Sequence, residues 1–310
     1  MKMIHNLIEE FVRAKQLELT SPKSVTDMRY FMRLIEEGLT TLYPDIEPDQ
    51  LIGIQLRGLI EWWDQGKSEH RIHKATIKKA LMYLKYLFRW LCNENRLTRN
   101  PTETLRYKPR ARYTPTARIA RADIQKLLRV TEGDMFIDKL AHVTVRLLLD
   151  TGIRAQELCS LKVADVHVLA ARINLTIGKG GKTGVMGFGA HTQRALDAYL
   201  EARSGVPEQV EETLLLNTHG RCMTPRNLDR LLKAYSKKAD ITPVAAHQFR
   251  VTFAVEQFLG GASLIAVQTA LRHSSVDMTV RYLRLAEQER QAILCAMASV
   301  VDRFDAANGA

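Results

Sequence analysis

The chain has 310 residues, a formal net charge of +11 and a pI near 9.5, which suggests two domains and a polyanionic partner, nucleic acid ahead of an anionic membrane surface. An apolar fraction of 46% is enough for ordinary cores, no apolar run approaches the roughly 20 residues of a membrane span, and Glu9 and Glu10 come too early for a signal peptide. Cys92, Cys159, Cys222 and Cys295 stand far apart without metal-ligand spacing, as buried thiols in a reducing cytoplasm would.

Residues 2 to about 97 read as helices. Met3, Leu7, Phe11 and Val12 share the apolar face of a first helix. Thr20, Ser21 and Pro22 break the chain, and a second helix runs from Ser24 to Leu42. After a turn from Pro44 to Pro48, Asp49 opens a third helix that carries Leu51, Ile54, Leu59, Trp62 and Trp63 and ends near Gly66. Ser68 caps a long fourth helix reaching about Asn93. Ile77, Leu81, Leu84, Phe88 and Leu91 form its core stripe, and Arg71, Lys74, Lys78, Lys85 and Arg89 form a second stripe at helical steps. A solvated charged face has the same pattern. The absence of interleaved acids favours contact with phosphates.

From Pro101 to Arg121 the periodicity stops. Pro101, Pro109 and Pro115 favour extended chain, and Arg106, Lys108, Arg110, Arg112, Arg118 and Arg121 carry no acid among them after Glu103. The segment is either a stiff solvated spacer or a basic strap along a duplex backbone. The division is then a helical domain over 1–100, a basic linker over 101–120 and a second domain over 121–310.

In the second domain Asp123 caps a helix, and an apolar helix from His142 to Leu149 ends at Thr151 and Gly152. Arg154 and Glu157 follow on one face, so Glu157 either pairs structurally with the arginine or orients it for a ligand. Arg172 to Ile177 alternates as a strand, Gly178 to Gly184 turns, and Val185 to Phe188 returns. The turn holds Lys179 and Lys182. Thr176 stands where a nucleotide-binding phosphate loop would need its first glycine, so a nucleoside triphosphate site is not expected. His191 to Ala202 is helical, and Thr224 and Pro225 start a helix carrying Arg226, Arg230, Lys233, Lys237 and Lys238, a DNA-facing or solvated stripe. A helix from Val251 to about Leu259 ends at Gly260 and Gly261, and Ser274 and Ser275 can cap a last helix with Met278, Tyr282 and Leu283.

His247, Arg250, His273 and Tyr282, with Arg154 upstream, are a chemically coherent set. Two arginines can clamp the non-bridging oxygens of one phosphate. A tyrosine with pKa near about 10 is inert until a phosphate and cations are set beside it. Histidines and a lysine can trade protons near neutrality. Together they suit attack of a phenol on a phosphodiester without a metal ion, and a phosphotyrosyl ester would keep the bond energy for rejoining.

In order and spacing, Arg154, Lys179, His247, Arg250, His273 and Tyr282 resemble the catalytic set of the tyrosine recombinases, the phage-integrase and Xer-type group. The resemblance covers the C-terminal two-thirds in motif and the N-terminal third in general pattern. It implies a mainly α fold with a small antiparallel sheet, arranged as a two-domain, C-shaped clamp around DNA. It implies site-specific cutting and rejoining of double-stranded DNA through a 3′-phosphotyrosyl intermediate, with no cofactor, by a cytoplasmic protein that forms dimers and tetramers on paired recombination sites. Lys179, or next Lys182, would be the general acid, although the usual continuation of that hairpin is absent here. A helix over about 287–305 would dock into a neighbouring protomer. The family phrase also has glycine before His273 where this chain has Arg272, which either adds a phosphate contact or changes the turn. A type IB topoisomerase and a non-catalytic DNA-binding relative are the alternatives. Lys74, Lys78, Lys85, Arg89, Arg71, Arg110, Arg112, Arg226, Arg230 and Lys182 are the candidate DNA contacts.

Overall fold

The computed structural model describes residues 2–18, 22–67, 72–107, 117–177, 182–206 and 212–296, without the side chains of 2, 3, 75, 176, 177, 182, 183 and 293–296. The chain divides into two compact units, Met1–Thr114 and Pro115–Ala310. The fold is mainly helical, and its one described sheet is three-stranded and antiparallel. Among the described residues no helix is long and apolar enough to cross a membrane.

The first unit consists of α1 (Lys2–Glu18), α2 (Pro22–Leu42), α3 (Gly53–Asp64) and α4 (Lys74–Asn93). The expected stripe of α4 is its core face: Ile77, Leu81, Leu84, Phe88 and Leu91 are all buried, in one cluster with Phe11, Phe31, Ile35, Leu59 and Trp63. Gly38 lets α2 approach α3 closely, since a Cβ there would run into the side chain of Leu59. The third helix starts at Gly53 rather than Asp49 because its cap comes from within: Gln55 Oε1 accepts from the backbone N–H of Ile52 at 2.8 Å. Ile54, assigned to the apolar face from sequence, is exposed. The fourth helix begins at Lys74 after His73, while Ser68 lies outside the described residues. Beyond α4, Thr102 and Leu105 are buried and Tyr107 Oη donates to Asp64 at 2.7 Å, so residues 101–107 pack on this unit.

The second unit contains α5 (Arg121–Thr131), α6 (Phe136–Thr151), α7 (Ala155–Ser160), β1 (Val166–His167), β2 (Arg172–Ile177), β3 (Lys182–Gly187), α8 (Ala190–Ser204), α9 (Pro225–Lys238), α10 (Ala246–Leu259), α11 (Leu264–Leu271) and α12 (Val276–Ala296). The strands lie in the order β1-β2-β3, with Val166 opposite Ile173 and Asn174 opposite Val185. Ile173, Leu175 and Met186 turn one face of the sheet into the core. Asp123 lies in the first turn of α5 rather than at its cap, which is Ala120.

The element that positions the site is α10. It is buried along nearly its whole length, as expected of a helix apolar on all sides. Phe249 belongs to the core shared with α6, α8 and α9, whereas Val251, Phe253, Val255 and Phe258 join Val267, Leu271 and Ala286 of α11 and α12. It begins at Ala246, ahead of the Val251 start read from sequence, so His247 and Arg250 occupy its first turns. The short α11 was not anticipated; Ser263 caps it, its hydroxyl accepting from Ala266 N–H at 3.2 Å. One continuous α12, opened by Ser275 Oγ accepting from Asp277 N–H at 3.2 Å, carries Tyr282 and runs on to Ala296. The remainder of the expected docking helix lies outside the described residues.

Candidate active site

The site starts at a turn. The sixth helix ends at Gly152 with φ +57°, the left-handed conformation that glycine adopts without steric cost. A Cβ there would lie 2.6 Å from Phe253 Cδ1, so the turn depends on glycine both for its conformation and for its approach to α10. Gly152 presents its carbonyl to Arg250 Nη1 at 2.6 Å, and Arg250 Nη2 donates to the carbonyl of Leu271. With 3% of its surface exposed, Arg250 therefore ties α10 to the C-terminal ends of α6 and α11. Burial pulls its pKa down to about 10; Arg154 and Arg272 push the same way, and Tyr282 and Glu157 oppose them. It remains charged at neutral pH.

Arg154 caps α7. Its Nη1 donates to Glu157 Oε1 at 2.7 Å, its backbone N–H donates to Glu157 Oε2 at 3.1 Å, and its Nη2 reaches the carbonyl of Arg272 at 3.4 Å. Its side chain stays 38% exposed, open to a ligand. Arg272 Nη2 donates to the same carboxylate, Oε2 of Glu157, at 2.7 Å. Burial raises the pKa of Glu157, but hydrogen bonds from Arg154 and the charge and hydrogen bond of Arg272 outweigh it and hold the carboxyl below its ordinary value.

His273 is 7% exposed. Its Nδ1 lies 2.8 Å from Thr279 Oγ1, one turn into α12, and its ring centroid lies 5.8 Å from that of Tyr282 at 31°. Thr279 fixes the ring through Nδ1, so Nε2 is the end that can serve a ligand. Burial, followed by the charges of Arg250, Arg154 and Arg272, pulls its pKa down to about 4. His247 stands at the start of α10, with its pKa lowered first by partial burial of the imidazole and then by the charge of Arg250. Both imidazoles are neutral at pH 7. Arg154 and Arg272 thus share one carboxylate while Arg250 is held by two carbonyls, so the cluster beside His273 and the half-buried ring of Tyr282 carries excess positive charge.

This balance predicts acid sensitivity. The folded pKa of His273 lies below the ~6.5 of a free imidazole, so the unfolded chain takes up that proton first. The stability it protects is complete above about pH 6.5 and falls as pH drops toward about 4, by roughly 3 kcal/mol from this group alone. Chemical denaturation of the wild type and of His273→Gln across that interval should give a shallower slope for the variant. Parallel curves would mean that His273 is not the group responsible.

Five residues named from sequence, Arg154, His247, Arg250, His273 and Tyr282, thus meet within the second unit. Lys179, Arg71, Arg110 and Arg112 lie outside the described residues, and Lys182 opens β3 opposite Ile177 with its side chain likewise undescribed. Lys74, Lys78 and Arg89 are exposed along α4, and Arg226 and Arg230 along α9. Lys85 differs from its stripe: it is half-buried, donates to the carbonyl of Leu105 at 2.9 Å, and has its pKa lowered by burial and by Arg106 and Arg89. Two arginines of the supposed basic strap are also engaged internally. Arg118 pairs with Glu256 at 3.1 Å and with Glu289, and Arg121 pairs with Glu256 at 2.7 Å. Cys159 is buried as expected, whereas Cys92 and Cys222 are half-buried. Thr279 was given no role from sequence, although it stands in the stretch from His273 to Tyr282 that carries the family resemblance. Tyr235 is a core residue whose hydroxyl donates to Asp138, with burial and that carboxylate raising its pKa.

Residues 117–289 match the phage integrase family. The tyrosine recombinase XerD of Listeria innocua is 26% identical over 294 residues, covering 92% of this chain and 95% of that protein. The tyrosine recombinase XerC of Myxococcus xanthus is 28% identical over 225 residues, covering 71% of this chain and 74% of that protein. Among solved structures, the XerH site-specific recombinase bound to a palindromic difH substrate, in a post-cleavage complex, superposes with a TM-score of 0.76 at 17% identity, over 94% of both chains. A lambda integrase dimer bound to a COC′ core site gives 0.71 at 18%, over 90% of this chain and 76% of that one. At these identities the structures speak for the fold.

Proposed function

The chain belongs to the phage integrase family of tyrosine recombinases, which cut and rejoin DNA, and we propose that Tyr282 is its nucleophile. The phenol oxygen attacks a backbone phosphorus as its proton passes to a neutral imidazole beside it, the bond from phosphorus to the 5′ oxygen breaks, and that oxygen takes up a proton and leaves as a free 5′ hydroxyl. A 3′-phosphotyrosine remains. Attack by a 5′ hydroxyl reverses the step and rejoins the strand, so neither a nucleotide nor a metal ion is called on.

The observation that carries this reading is the uncompensated positive charge packed around Tyr282. A phosphodiester brings one negative charge and gains another as the phosphorane forms, which Arg154 and Arg250 stabilise. Arg250 is already fixed by two carbonyls, so it needs no reorganisation when the charge develops. A neutral His273 held by Thr279 hydrogen-bonds the phosphate through Nε2, and His247 polarises the phenol or joins that bond. Lys179 protonates the leaving oxygen by its place in the hairpin, with Lys182 next. Lys74, Lys78 and Arg89, and Arg226 and Arg230, are exposed cations suited to phosphates along the duplex. Assembly as dimers and then a tetramer on paired sites, in the cytoplasm, completes the proposal.

The test is covalent capture on a nicked duplex made from DNA flanking the gene of this chain. Loss of the short product beyond the nick should trap the protein on DNA in a form stable to detergent. Proteolysis should then place the adduct on Tyr282 and leave a 5′ hydroxyl. Cleavage without a protein adduct, or an adduct on another residue, would overturn the reading.

A further inference from the structure

We propose that Arg272 is a positioning residue for strand cleavage, acting through Glu157 on Arg154. The inference rests on the reading above and extends it to a residue outside the motif set.

Arg272 sits at the C-terminal end of α11 with φ 55° and ψ 48°, a conformation that glycine adopts freely and an L side chain does not. Its side chain nevertheless turns inward and is only 11% exposed. It leaves its buried Nε–H without a partner. An unfavourable backbone and an unmet buried donor both oppose this arrangement, so the contacts at the other end of the side chain must hold it. They are Nη2 to Glu157 Oε2 at 2.7 Å and Nη1 to the carbonyl of Ala270 at 3.1 Å.

Glu157 is the link. One of its oxygens takes Arg154 Nη1, and the other takes both the Arg154 backbone N–H and Arg272. A carboxylate held on both oxygens cannot swing, so one edge of the Arg154 guanidinium is fixed. The carbonyl of Arg272, 3.4 Å from Arg154 Nη2, bounds the other edge. A glycine at 272 could keep that carbonyl but would lose the lock on Glu157. Charge points the same way. Alone with Arg154, Glu157 would neutralise it; shared with Arg272, it leaves the pair with net positive charge for a phosphate. Arg272 has both terminal nitrogens engaged and its Nε buried, so it positions the site without touching the substrate.

The experiment uses the full chain and the nicked duplex described above. In R272G, single-turnover adduct formation at saturating DNA should fall about tenfold or more, with duplex affinity within about twofold of wild type. R272G combined with E157Q should be no slower than E157Q alone, because the effect passes through that carboxylate. R272Q, which keeps the chain length and removes the charge, is held to the same criteria, and thermal melting identifies which variants are folded. Wild-type rates in a folded R272G or R272Q, or full multiplication of the loss onto E157Q, would overturn this role alone. Failure of the wild type to form any adduct would overturn the parent reading as well.

Discussion

Replacing Tyr282 by phenylalanine is expected to abolish covalent capture of DNA, a loss on the order of 10⁴-fold or more, while duplex affinity stays within about twofold of wild type. The substitution removes one oxygen. The ring can keep its place beside His273 and in the apolar cluster with Val255, Leu271 and Ala286. The folding cost is then no more than a hydrogen bond, about 1 kcal/mol. Such a large loss for so small a structural change is the signature of a missing nucleophile. Tyr235→Phe gives the contrast: it removes a hydroxyl bonded to Asp138 in the core, so it should lower the melting temperature and leave capture intact. A Tyr282→Phe protein that still forms the adduct would remove Tyr282 from the chemistry.

The grouping of the candidate site was more legible in the sequence than its supports, for a physical reason. His247 and Arg250 share a helix face wherever that helix begins, because the periodicity is local. The start of the helix depended on a subtler signal. Ala245 cannot cap with its side chain; instead Gln248 reaches back to accept from its N–H at 2.9 Å. The same reach-back operates from Gln55 to Ile52, from Glu157 to Arg154 and from Asp165 to Lys162. A search for Ser, Thr or Asp at the cap itself passes over all four. Long-range partners were hidden altogether. Nothing near Arg272 in the chain reveals that Glu157 will lie within hydrogen-bonding reach, and nothing near Arg118 reveals Glu256 and Glu289. Charge composition alone therefore made the linker look more available to DNA than its last arginines are.

Arg250→Ala is expected to fail twice over. Adduct formation should fall on the order of 10³-fold or more, since a preorganised charge at the phosphorane is lost. Stability should fall by roughly 2–4 kcal/mol, because the carbonyls of Gly152 and Leu271 lose their donor. The second figure is smaller than two orphaned carbonyls alone would give. The buried guanidinium is itself costly, as its lowered pKa of about 10 records, and alanine removes that cost. Arg250→Lys separates the two roles. An ammonium supplies the charge but cannot fork between carbonyls contributed by two helix ends and face a phosphate at once. Stability between wild type and alanine, measured by denaturation, should then accompany cleavage still well below wild type. If lysine instead restores capture to the wild-type rate, charge alone suffices at this position and the forked geometry of Arg250 belongs to the fold rather than to the reaction.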